Sequence, residues 1–172
     1  MRAPASLLLG LLIALGSSGP ALAEPRGDQW LKQLFPEADR FTARDVLLTE
    51  EMAQRLSTLA RARVAERLVT FYSANRGATV MGYAVLQTHR VRTKNETLAV
   101  AFEPDGRLRQ LDVVAFLEPP EYRPPPRWLK QFEGKTTADR LAVGDDPLPI
   151  SGATLSAKGI AEQARWLLRA FQ

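Results

Sequence analysis

The segment Ile150-Ser151-Gly152-Ala153-Thr154-Leu155-Ser156 sets hydroxyls around a Gly-Ala step that leaves the backbone unguarded. Downstream, from Ala157 to Phe171, Ile160, Ala164, Leu167, Leu168 and Phe171 recur on one helical face, so the segment stands at a helix start. Amides in the first turn of a helix have no intrahelical acceptor and lie at the positive end of its dipole, so an anion there gains hydrogen bonds and field together. A phosphate is the anion that this loop fits. Gly152 lets the backbone come close, Thr154 Oγ is placed for covalent attachment of a phosphoryl group, and Ser156 can cap the helix or donate to a phosphate oxygen. Lys158, in the turn that follows, can pair with the same group or stand solvated. Residue types alone leave a second reading open, because a Ser-Gly-Ala-Thr turn before a helix is ordinarily no more than a well-capped loop.

Other candidates carry less. Arg76-Gly77-Ala78-Thr79 is a second Gly-Ala-Thr, but it falls in a predicted hairpin with no helix behind it, so it lacks both the free amides and the dipole. His89 is the only histidine and reads as a surface or hydrogen-bonded residue at a strand end. Glu118 and Glu121 lie in a Pro-rich stretch that favours solvation over acid/base work. Tyr83, Tyr122, Trp128 and Phe132 are the aromatics that could pack on a ring, and Trp128 and Phe132, just before the loop in the chain, are the candidates for a cofactor wall; core packing is the alternative for each. No HExxH, P-loop or Ser/His/Asp set is found, so the sequence argues for no metal, no hydrolase and no nucleotidase.

The elements that must position the loop read as follows. Trp30, Leu31, Leu34 and Phe35 recur at helical spacing before Pro36, predicting a short amphipathic lid on the core. Thr49 is the expected cap of a helix with Glu50 and Glu51 in its first turn and a stripe of Met52, Leu56, Leu59 and Val64. LVTFYSA, TVMGYAVLQTH, ETLAVAF and LRQLDVVAF then read as four strands, with turns at Asn75-Arg76-Gly77 and Pro104-Asp105-Gly106. LEPPEYRPPPRW has too many prolines for a central strand and reads as a surface crossover into a short helix, RWLKQF. The expectation is an α+β domain in which an antiparallel meander sheet is flanked by helices, the hydroxyl loop opening the C-terminal one.

Length and composition bound the rest. The 172 residues contain no cysteine, which excludes disulfides, thiolate metal sites and c-type haem attachment. Arg2, the apolar run Leu7 to Leu15 and Ala21-Leu22-Ala23 read as a signal peptide, residues 1–23, cleaved near Ala23. The apolar run is about half of the roughly 20 residues that span a bilayer. Residues 24–67 are then an N-terminal helical segment and residues 68–172 the main domain. A net charge of +4, spread along the chain, gives no reason to expect nucleic acid.

ISGATLSAKGI resembles the flavinylation segment of the FMN-binding domain family. That family includes FMN subunits of sodium-translocating NADH:quinone oxidoreductase, related electron transport complexes, and small exported FMN proteins. The likeness runs from about Leu68 to Phe171: MGYAVLQTH resembles the family's early Gly-Tyr strand, Glu118 its strand-end Glu, and RWLKQFEGK its short helix. Two positions depart from the pattern. Leu148 stands where the family has an Asp, with Asp145 and Asp146 further upstream, and no Thr follows Glu118. The resemblance implies FMN held by a phosphoester to Thr154, with Ser151, Gly152, Ala153, Leu155 and Ser156 around it and Glu118 near the flavin. It also implies a flavin transferase using FAD, and a membrane-bound redox partner for a periplasmic or otherwise exported, possibly membrane-associated electron carrier. An exported flavin-dependent reductase of a small acceptor and a flavin-free binding module of the same fold are the alternatives.

Overall fold

A computed structural model describes residues 27–171. The expected signal peptide and its cleavage site lie outside the described residues. Five strands form one antiparallel sheet in chain order: β1 (Arg40–Leu47), β2 (Leu68–Arg76), β3 (Thr79–Arg90), β4 (Asn95–Phe102) and β5 (Leu108–Phe116). Helices α1 (Gly27–Leu34), α2 (Glu50–Ala60), α3 (Pro126–Leu129) and α4 (Thr154–Ala170) complete an α+β meander flanked by helices, the predicted class. No helix among the described residues is long and apolar enough to cross a membrane.

The two faces of the sheet are built from residues of different size. Along β4, Leu98, Val100 and Phe102 point to the face covered by α2, α3 and α4, while Ala99 and Ala101 point to the other. The alanines, with Ala74 and Ala84, leave room for Trp30, Leu31, Leu34 and Phe35 of α1 and the residue after it. Gly82 belongs to the same arrangement, since a Cβ there would stand 2.5 Å from the Phe35 ring. On the opposite face Ile160, Ala164, Leu167 and Leu168 of α4 are completely buried, and Phe171 stacks on Phe102 at 5.0 Å. Each large side chain so buried contributes about 1.5–3 kcal/mol, which fixes the height and rotation of α4 over the sheet.

The sequence expectations differ from the structure in two places. Residues 24–67, read as helical, contain β1, which pairs along its whole length with β2 and joins this segment to the same sheet. RFTARDVL is an edge strand, mostly exposed on both faces, so its charges Arg40, Arg44 and Asp45 hide the alternation that announces a strand while blocking further pairing. Helix α2 stops at Ala60, where Arg61 adopts the left-handed conformation, so Val64 lies beyond it and Leu59 is exposed. Arg165 of α4 fastens that end, donating to the carbonyls of Ala60 (2.7 Å), Arg61 (3.1 Å) and Leu141 (2.5 Å).

Candidate functional site

Helix α4 begins without a cap. Its N-cap residue is Ala153, which has no side-chain oxygen, and no acid occupies its first turn. The amides of Thr154, Leu155 and Ser156 therefore face outward at the positive end of a 17-residue helix. Gly152, with φ +81°, makes the turn into the helix, and a Cβ built on it meets nothing within 4 Å. Ser156 lies inside the first turn rather than at the cap that the sequence allowed for it. It is 1% exposed, and its Oγ has no hydrogen-bond partner.

Around this helix end is a cleft of about 250 Å³, lined by Gly152, Ala153, Thr154, Leu155 and Ser156 on one side and by Val91, Arg92, Glu118 and Tyr122 on the other. Pockets that enclose a drug-sized ligand usually hold about 300–1,000 Å³, so this one accepts a ligand's anionic end and one edge and leaves the rest in solvent. Of the residues singled out from sequence, the loop from Gly152 to Ser156 and Glu118 meet here. Ser151, exposed, precedes the lining by one residue. Lys158 is exposed one helical turn beyond Thr154 and flanks the cleft without lining it.

Trp128 and Phe132 do not line the cleft. Phe132 is completely buried and Trp128 nearly so, packed edge to face at 5.3 Å. Their work is on the approach to the loop, because Trp128 Nε1 donates to the Leu148 carbonyl (2.8 Å) while the Leu148 amide donates to Gln131 Oε1 (2.9 Å). Tyr83 packs against Phe171. Tyr122, 38% exposed, is the aromatic that reaches the site. Asp146 does not take the place of the missing acid at Leu148: Lys135 Nζ holds it at 2.8 Å, and it lines no part of the cleft.

Glu118 has a definite local role. Its Oε1 accepts the backbone amides of Thr93 (2.6 Å), Lys94 (2.7 Å) and Arg92 (3.1 Å), and the Thr93 hydroxyl lies 3.1 Å from Oε2. The Lys94 amide, then those of Thr93 and Arg92, hold the carboxyl down to about 2 against the burial that would raise it. The carboxylate thus spends its charge on the β3–β4 turn and fixes Arg92 at the cleft wall. Arg92 was not singled out from sequence, where it is one of 23 Lys and Arg residues; only the turn brings it opposite Thr154.

Behind the cleft, His89 is buried rather than at the surface. Its side chain is 9% exposed, 3.3 Å from Glu96, and Gly159 of α4 covers it so closely that a Cβ there would stand 2.7 Å from Nε2. A wider hollow of about 490 Å³ lies on the opposite face of the sheet, between α1 and β5. Size does not make it the better anion site, because its one charged lining residue is Asp112, which repels phosphate. No protein-family model matches the chain, and no curated protein matches it.

Proposed function

We propose that the chain is a flavoprotein that carries one FMN through its phosphate at Thr154 and serves as an electron carrier. The observation that carries this reading is the unfinished end of α4: an uncapped first turn, an open Gly152, an unpartnered Ser156 hydroxyl and Arg92 across the cleft, all around one threonine. These are the donors that a phosphate monoester or diester needs, and the resemblance of ISGATLSAKGI to a flavinylation segment gives the phosphate its cofactor. A bound flavin would supply the redox chemistry.

The chain's own residues bind and orient. Thr154 Oγ would give up its proton and take the flavin-side phosphate of FAD, with AMP leaving, in a step carried out by a flavin transferase. The free amides of the first turn and the Arg92 guanidinium would then share the remaining phosphate charge. Gly152 keeps the approach clear, and Tyr122 and Val91 offer the apolar edge on which a ring can rest. The shallow cleft leaves that ring accessible, which suits delivery of electrons to a docked partner better than enclosure of a small substrate. Periplasmic or otherwise exported, membrane-associated service would follow from the leader-like N-terminus, and a covalent tether would keep the cofactor from being lost there.

Intact mass of the protein recovered from its native cell tests this. An addition of one FMN minus water, absent in Thr154→Ala, is the expected result. A colourless, unmodified protein that takes up no flavin from transferase and FAD overturns it. Unmodified mass with yellow protein would keep the site and replace the ester by noncovalent binding.

A further inference from the structure

The rim of the cleft has a composition of its own. The β3–β4 turn, Arg90-Val91-Arg92-Thr93-Lys94, presents three cations, all exposed, and Lys158 adds a fourth from one turn beyond Thr154. None of the four has a carboxylate partner among the described residues. Glu118, the acid that lines the cleft, is turned inward onto backbone amides, so it neutralises no side chain of the rim. Glu121, beside Tyr122, is exposed, and Glu162 lies a further turn along α4 from Lys158.

Apolar side chains stand among these cations. Leu155 (53% exposed), Tyr122 (38% exposed) and the partly buried Val91 line the cleft. Together they place an apolar patch beside the cations at one mouth. Interfaces of transient partners have this layout, with apolar anchors central and charges at the edge steering approach.

We infer that the mouth of the cleft is a docking face for a protein whose matching surface is acidic around an apolar centre. Charge complementarity selects that occupant, since four unpaired cations repel a basic surface and attract a carboxylate-rich one from beyond contact distance. Its use for electron delivery rests on the flavin reading; the surface itself does not, because every residue named belongs to the chain alone.

The experiment uses flavin-free protein, so that its failure is separate from failure of the flavin proposal. Binding is measured to an immobilised synthetic peptide of alternating Glu and Leu, to poly-glutamate, and to vesicles of phosphatidylglycerol and phosphatidylcholine in equal parts. Expected is salt-sensitive binding to the Glu-Leu peptide, tighter than to poly-glutamate. Arg90→Glu, Lys94→Glu and Lys158→Glu together should weaken it about tenfold or more. Reversal of Arg44, Arg55 and Arg63, on β1, α2 and the segment after α2, makes the same change in net charge and should leave it nearly intact. Leu155→Ser with Tyr122→Ser should remove the preference for the peptide over poly-glutamate. Equal loss in both charge-reversal triples would show attraction by net charge and overturn the docking face. Tighter binding to the vesicles than to the peptide would overturn it in favour of an anionic lipid surface.

Discussion

Helices α2 and α4 begin in opposite ways. Thr49 caps α2, its Oγ1 accepting the Met52 amide at 3.2 Å, and Glu50 and Glu51 place negative charge on the first turn. Helix α4 has alanine at the cap, no acid in the first turn, and glycine before it. One end is completed within the chain. The other leaves its donors without a side-chain partner. The two Gly-Ala-Thr sequences make the same contrast at shorter range. Both glycines stand in open space, but in the β2–β3 hairpin the Gly77 amide is already taken by Asp39 Oδ2 at 2.8 Å and a strand follows, whereas Gly152 leads into a helix.

Thr154→Ala against Thr79→Ala is the sharpest way to break this comparison. The first should abolish the mass addition of FMN minus water and the second should retain it, so loss in both, or in neither, removes the distinction between the two sites. Glu118→Gln comes next in size. The carboxyl is held at about 2, below its ordinary 4.5, so its stabilisation is full above pH 4.5 and is lost as pH falls towards 2. The variant should melt earlier at pH 7 and show a flatter acid limb between pH 4.5 and 2; unfolding midpoints across that range report both. Thr49→Ala should cost about 1 kcal/mol in denaturant unfolding and leave flavin loading untouched, because that cap serves stability alone. Leu155→Glu gives α4 the acid that α2 already has. It should stabilise the fold by about 0.3–1 kcal/mol while lowering FMN incorporation, read as the modified fraction in the intact mass. A stabler protein with full incorporation would mean that the open amides are not where the phosphate sits.

Much of the fold was legible because it depends on local patterns. Alternation marked β2 to β5, the period of Ile160, Ala164, Leu167 and Leu168 marked α4, and Thr49 with its glutamates marked the start of α2. β1 was not legible, since an edge strand mostly exposed on both faces shows no apolar alternation. The hydroxyl loop could be found from its residue types, but its partners could not. Arg92 reaches the cleft because Glu118 folds a turn 24 to 26 residues away in the chain, and Trp128 leaves it because its indole is spent on the Leu148 carbonyl.

By itself, then, the sequence determined β2 to β5, the starts of α2 and α4 and the hydroxyl loop between Ile150 and Ser156, because periodicity, capping and backbone freedom are properties of neighbours along the chain. Tertiary structure alone decided what stands across from that helix end, which carboxylate is tied to backbone amides, and that the His89 side chain lies against Glu96 and Gly159. Those outcomes depend on strand register and on the seating of α4 over the sheet, where residues far apart in sequence compete for the same space and the same hydrogen bonds.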